Sequence, residues 1–317
     1  MKAKIGVFGI GLAAYWPQFK GLKERLETYQ RYVEKRLEDF GADVTSVGLI
    51  DDAPGAKQAG DTFARENVDL MICYVGTYST SSQVLPVVQR RNAPVLILNL
   101  QPLPAPDYLE MDTAEWLANC CACCVPELSN AFARSRIQFN VVTGTLKPSG
   151  TPADKYHDRA WNEIKEWVEA ASVMRSVQYS RIGFLGHTYP GMLDMYSDFT
   201  MHHAQLGTHV EVLEIDDLQT RVAKVKGTEV RNKVKEIKGV FDIAKPGRDK
   251  ISKEVTQSGL EWSAKVACGL DRLVKDFDLQ GLTYYYRGLD GNANEQLGAS
   301  VIVGNSLLTA RGIPASG

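Results

Sequence analysis

The sequence predicts an α/β protein, two doubly wound α/β domains with mainly parallel sheets, on three observations. Short apolar β-runs alternate with amphipathic helical segments along almost the whole chain. The run Leu70-Met-Ile-Cys-Tyr-Val75 is apolar at every position, as a strand covered by helices on both faces requires. The rhythm then restarts near residue 180 with Arg181-Ile-Gly-Phe-Leu185, which divides the chain into a flavodoxin-like or Rossmann-like domain over 1–178 and a smaller central α/β domain over 179–317.

In the first domain strands are expected over 4–8, 43–50, 70–75, 94–98 and 137–144. Helices are expected over 22–40, 53–66, 82–91 and 154–177. The first helix carries Leu26, Tyr29, Val33 and Leu37 at spacings of three and four, with Gly41 as its stop. The last carries Trp161, Ile164, Trp167, Val168 and Ala171 on its inner face. Residues 146–152 are rich in Pro, Gly and Ser and read as an exposed connection. In the second domain strands are expected over 181–185, 210–215 and 282–285, and helices over 197–206, 218–238 and 251–277, with a polar turn over 245–249. Residues 313–317 read as a loop leading into a further element.

Composition excludes several function classes. The 317 residues are 44% hydrophobic and 23% charged, with a net charge of −2. No basic field is present for nucleic acid. No apolar run approaches the roughly 18–20 residues of a membrane span, and no signal-peptide apolar region opens the chain. Six cysteines, four of them within 120–124, do not resemble a secreted disulfide framework. A cytoplasmic protein is expected.

Ligands of parallel sheets gather beyond the carboxyl ends of the strands, here residues 9–19, 76–82 and 99–106. Gly9-Ile-Gly11 with Ala14 imitates a dinucleotide fingerprint. However, Pro17 interrupts the helix that should receive a pyrophosphate, and no acidic residue closes the second strand before Asp51. The better reading is a tight turn, with Tyr15, Trp16, Gln18 and Phe19 lining a polar-aromatic cleft. The hydroxyl-rich 76–82 segment suits helix capping, which leaves Tyr78 as its cleft candidate. Cys120, Cys123 and Cys124 would share one face of a helix, but no second cysteine pair completes a zinc set. Small side chains on a packed helix explain them, and Cys73 and Cys268 read as buried. Glu127 is expected to pair with Arg134 or Arg136, and His157 to be solvated or capping. Residues 186–194 present His187, Tyr189, Met192 and Asp194 together. His202 and His203 are adjacent and diverge by roughly 100° on a helix, so they cannot share a metal. Neither a metal site nor a Ser/His/Asp arrangement is legible.

Five stretches in order carry a resemblance: Gly9 to Gly21, Cys73 to Pro86, Ala131-Phe-Ala-Arg-Ser-Arg136 leading into Val141-Val-Thr-Gly144, Gly183 to Met192, and Tyr284 to Gly317. Together they resemble the L-arabinose isomerase branch of the arabinose/fucose isomerase superfamily, with its L-fucose isomerase-like fold. The resemblance implies an aldose–ketose isomerase acting on a pentose or deoxyhexose. In such enzymes a divalent ion, usually Mn2+, holds two sugar oxygens while a glutamate moves a proton between C1 and C2. It also implies a homo-oligomer, a trimer or hexamer. Family positions near the sugar fall on Trp16, Gln18, Phe19, Tyr78, Met192 and Tyr286. The family's first metal-binding glutamate directly follows a glycine that aligns with Gly317. The chain is therefore expected to correspond to the first domain and most of the second, to lack catalytic residues, to bind no catalytic metal alone and to be inactive alone. Two departures stand in the sugar-contacting shell: Cys123-Cys124-Val125-Pro126-Glu127 holds no histidine, and Trp16-Pro17-Gln18-Phe19 replaces a Gln-His-Leu-Tyr type loop. L-arabinose, L-fucose and D-arabinose all remain open as substrates. The alternative is a non-catalytic two-domain sugar-binding or regulatory protein, and a nucleotide-dependent oxidoreductase ranks last.

Overall fold

The structure, a computed structural model, describes residues 1–147, 155–245, 247, 254–285, 291 and 294–317. The chain divides into two compact units, Met1–Ser176 and Val177–Gly317, each with its own parallel sheet.

The first unit runs β1 (Lys4–Ile10), α1 (Leu22–Asp39), β2 (Asp43–Ile50), α2 (Ala53–Glu66), β3 (Leu70–Val75), α3 (Ser81–Val88), β4 (Val95–Gln101), α4 (Thr113–Ala118), α5 (Val125–Arg134), β5 (Phe139–Thr145) and α6 (Lys155–Gln178). Its strand order, β2-β1-β3-β4-β5, all parallel, is that of flavodoxin-like sheets. Helices cover both faces. Val33 and Leu37 of α1 and Trp161, Ile164 and Val168 of α6 bury against Ile5, Val7, Ile72 and Leu96. Phe63 of α2, Val84 of α3 and Phe132 of α5 bury against Phe8, Met71 and Ile97. All six residues of β3 are buried, as a central doubly covered strand requires. Local chemistry sets the ends of α2. The Asp52 side chain accepts from the Gly55 N–H at 2.7 Å, and Asn67 closes the helix in the left-handed region.

His157 departs from the sequence expectation. It is 6% exposed, with its ring 6.2 Å from that of Trp161 and Nδ1 3.1 Å from the Asp158 carboxylate. It stands four residues before Trp161, one turn earlier on the same inward face. Of the connection expected over 146–152, residues 148–152 lie outside the described residues; Leu146 is fully buried and accepts the Trp161 indole N–H at 3.1 Å.

The second unit runs β6 (Arg181–Gly186), α7 (Phe199–Leu206), β7 (His209–Leu213), α8 (Ile215–Ala223), α9 (Gly227–Val240), α10 (Gln257–Asp276), β8 (Gly281–Tyr285), α11 (Glu295–Ala299), α12 (Val301–Ala310) and β9 (Ala315–Ser316). The sheet order is β7-β6-β8-β9, again parallel. Three expectations are corrected. The single helix over 218–238 is two helices. The Glu229 carboxylate accepts from the Lys226 N–H at 2.9 Å and starts α9 afresh. The break lets Leu218 and Val222 enter one apolar cluster and Val234 and Ile237 another. The helix expected from 251 starts at Gln257, where Thr256 Oγ1 accepts from the Gly259 N–H; residues 251–253 lie outside the described residues, as do 246, 248 and 249 of the expected turn. Ala315–Ser316, expected as loop, pairs in parallel with Leu282 and Thr283.

One face of this sheet, with Leu185, Leu213 and Leu282, packs under α8, α10 and α12. The side chains that alternate with them turn to the opposite face, where Phe184 meets Phe199 of α7 at 5.2 Å between ring centroids.

Candidate functional site

In the first unit the strand order reverses between β1 and β3, and the carboxyl ends of those strands carry four residues singled out from sequence. Between β1 and α1 the chain makes a short 3-10 turn, Ala13–Tyr15. The Trp16 ring lies where a side chain at Gly11 would project, 2.7 Å from an ideal Cβ there, so Gly11 admits an indole. The Trp16 Nε1–H donates to Asp51 at 2.6 Å, and Lys23 binds the same carboxylate at 3.2 Å. Trp16 and Phe19 pack on Leu22, Leu26 and Leu117. Gln18 is exposed and donates to the Ala14 carbonyl.

Tyr78 follows β3, and its hydroxyl donates to Glu127 at 3.2 Å. The other Glu127 oxygen accepts the Ser81 N–H at 2.8 Å. Glu127 therefore caps α3 from α5, where an ion pair with Arg134 or Arg136 was expected. A helix N-terminus offers unsatisfied N–H groups and a positive dipole end, which match a carboxylate without a cationic side chain. The Ser81 N–H, foremost, holds the Glu127 carboxyl below its ordinary range, and the Glu127 carboxylate raises the Tyr78 phenol. The lowered folded-state value gives the sign of a pH effect. Stability from this contact is complete above the unfolded carboxylate's value, about 4.3, and is lost as pH falls through the folded value. Denaturation midpoints of wild type and Glu127→Gln should therefore converge as pH drops below about 4; a constant gap down to pH 2 would contradict this.

The cysteine cluster is not helical. Cys120–Cys124 forms the turn between α4 and α5, and Cys120 and Cys123 are joined by a disulfide. Cys73 and Cys268 are buried, as expected.

The second unit holds a cavity of about 680 Å³ on the sheet face opposite its main core, within the roughly 300–1,000 Å³ typical of small-molecule sites. Its floor is Ile182 and Phe184 of β6, Val210 of β7, and Thr283 and Tyr285 of β8. Its far wall is the 187–197 segment with Phe199, His202 and Leu206 of α7. Gly186 makes the corner. Its φ of +85° belongs to the left-handed region, and an ideal Cβ there would strike the Tyr285 carbonyl. The chain consequently folds back over Tyr285, whose ring centroid lies 5.2 Å from that of His187 and 5.0 Å from that of Tyr189. The Thr188 carbonyl can only accept, so His187 Nδ1 carries a hydrogen and donates to it at 2.9 Å. Met192, 44% exposed, and Asp194 line the rim.

Residues 197–299 match the family model of the L-arabinose isomerase central domain. The matched span contributes α7 and the β7 and β8 portions of this cavity. No curated protein matches the chain. Similar solved structures include a carbohydrate acetylesterase, Est24, from Sinorhizobium meliloti (17% identity, covering 53% of this chain and 99% of that one, TM-score 0.31). Two others are the periplasmic binding protein component of the arabinose ABC transporter from Shewanella sp. ANA-3 (10%, 96% and 86%, 0.25) and a conserved domain protein from Vibrio cholerae (10%, 100% and 89%, 0.26). Likenesses this distant carry no argument about function.

Of the residues singled out from sequence, Trp16, Gln18, Phe19 and Tyr78 stand in the first unit and Met192 at the cavity of the second; Tyr286 lies outside the described residues. The loop residues His187, Tyr189 and Asp194 do meet at one rim. Sequence reading missed Phe184, Phe199 and His202 as lining residues, whereas the strand alternation of β8 carries the signal for Tyr285. The adjacent histidines diverge as expected: His202 lines the cavity and His203 Nδ1 lies 3.4 Å from the Thr208 carbonyl. The divalent ion implied by the resemblance does not fit the described residues, among which no three His, Cys, Asp or Glu side chains gather to hold one. No helix among them is long and apolar enough to cross a membrane.

Proposed function

We propose that the cavity of the second unit is the sugar-facing surface of an arabinose-isomerase-like aldose–ketose isomerase. The observation that supports this most is the aromatic wall of His187, Tyr189 and Tyr285 beside polar Asp194 and Thr283, in a cavity to which the matched span contributes Tyr285, Thr283 and the lining residues of α7. Aromatic rings present a negative face that suits the C–H bonds of a sugar's less hydroxylated side. A few placed acceptors and donors then orient its hydroxyl groups. In this reading Tyr285 and Tyr189 stack the sugar, His187 Nε2 and Asp194 accept its hydroxyl hydrogens, and Met192 closes the rim over it. Trp16, Gln18, Phe19, Tyr78 and Tyr286 are further proposed sugar contacts.

The proposed substrate is a pentose or deoxyhexose, with L-arabinose the leading candidate and L-ribulose its ketose product. The reading further includes a cytoplasmic homo-oligomer, a trimer or hexamer, and Mn2+ or a similar ion. The 317 residues alone are proposed to be inactive. Domain limits of 1–178 and 179–317 go with this reading.

Calorimetric titration of the chain with L-arabinose, L-fucose and D-arabinose tests the reading. At least one should bind. Met192→Ala should weaken that binding about 2- to 5-fold, the equivalent of ~0.5–1 kcal/mol of thioether contact, with little effect on stability because Met192 is half exposed. Absence of binding by all three sugars would overturn the proposal.

A further inference from the structure

We propose that Cys123 is a site of reversible thiolation resolved by Cys120, so that the pair is a dithiol–disulfide couple exchanging with low-molecular-weight disulfides of the glutathione class. This rests on the first unit alone and is independent of the sugar reading.

Four observations carry it. The two sulfurs are already joined, across the C-x-x-C spacing of redox-active pairs. Their environments differ: Cys123 is exposed, whereas Cys120 is 5% exposed, so one sulfur is presented to a reagent and the other is shielded. The turn is anchored independently of the disulfide. Cys121 Sγ donates to the Leu100 carbonyl and Cys124 Sγ to the Thr77 carbonyl, and the Asn119 side chain joins the Leu103 N–H to the Glu115 carbonyl. With the disulfide open, these anchors keep Cys120 and Cys123 close, which makes reclosure an intramolecular step. Finally, the neighbouring thiols are out of play. Cys121 and Cys124 are buried, and burial pushes them up to about 12 and about 11, so they stay protonated and do not shuffle.

The exchange balances as follows. In oxidation the Cys123 thiolate attacks one sulfur of RSSR; the Cys123–SR bond forms and RS⁻ leaves. The Cys120 thiolate then attacks Cys123 Sγ, closing the disulfide and releasing a second RS⁻. The two protons of the protein thiols end on the two RS⁻, and two electrons pass from protein to RSSR. Reduction by two RSH is the reverse, with first attack at the exposed Cys123.

The turn is stitched to the strand end that carries Tyr78, since Cys124 Sγ donates to the Thr77 carbonyl, while the buried Thr77 hydroxyl donates to the Leu117 carbonyl of α4 at 2.7 Å.

The test equilibrates the native 317-residue chain in graded mixtures of reduced and oxidised glutathione, quenches with acid, alkylates and maps each cysteine by mass spectrometry. Cys120 and Cys123 should convert together, while Cys73, Cys121, Cys124 and Cys268 remain thiols and the circular dichroism stays native. Cys120→Ser should accumulate one glutathione on Cys123, and Cys123→Ser should take up glutathione at least tenfold more slowly. Wild-type protein quenched early in exchange gives the same site of adduct without a substitution. The proposal is overturned if the disulfide opens only under denaturant, if the thiols stay open in oxidised glutathione, or if the adduct forms first on Cys120, Cys121 or Cys124.

Discussion

Trp161→Ala is expected to destabilise the first unit by about 3–5 kcal/mol, the cost of removing a large aromatic from a closed core. Trp161 is 2% exposed. Its ring meets Tyr32 edge-on at 5.9 Å and Phe40 at 6.2 Å, and the Arg36 guanidinium lies 4.8 Å from its centroid. Its indole N–H is taken by the buried Leu146 carbonyl. One substitution thus empties a cavity between α1 and α6, unpairs a carbonyl and removes the ring from under a cation. Trp161→Phe keeps most of the apolar contact and should cost only part of this, about 1–3 kcal/mol for the carbonyl left unpaired. Urea unfolding followed by circular dichroism measures both. A loss below about 1 kcal/mol for the alanine variant would mean that α6 is not what covers this face.

The second large effect is functional. Tyr285→Ala should weaken sugar binding by about 5- to 30-fold, equivalent to ~1–2 kcal/mol, with little change in stability because the ring is half-buried on the open face of the sheet. His187 and Tyr189 both lean on this ring, so its removal dismantles the wall, not one contact alone. Tyr285→Phe keeps the stacking face and should retain most of the affinity. Equal losses in the alanine and phenylalanine variants would place the effect in the hydroxyl and contradict stacking.

Much of the scaffold was legible because local signals agreed. β2, α2 and β3 fall on the residues expected: Asp52 caps the start of α2, and β3 is an unbroken apolar run. Features set by tertiary path were not legible. Small residues at 120–124 suit a turn as well as a helix, and only the approach of the turn to β3 and β4 decides between them. Glu127 meets Tyr78 across a separation of 49 residues, which no local pattern encodes. The break before Gly227 hides in a continuously charged amphipathic stretch, because both halves keep helical spacing while burying different clusters. At the candidate site the loop after β6 was legible from its composition. Of its partners, Tyr285 follows from the alternation of β8, whereas Phe199 and His202 of α7 were not legible, because the fold brings them to it.

The most direct test of the sugar-stacking cavity is saturation-transfer NMR on the 317-residue chain with L-arabinose. Irradiating the aromatic protons should transfer saturation to the sugar's ring C–H protons, and the transfer should collapse in Tyr285→Ala while persisting in Tyr285→Phe. Undiminished transfer in Tyr285→Ala, or none from the wild-type chain to any pentose or deoxyhexose, would contradict the account.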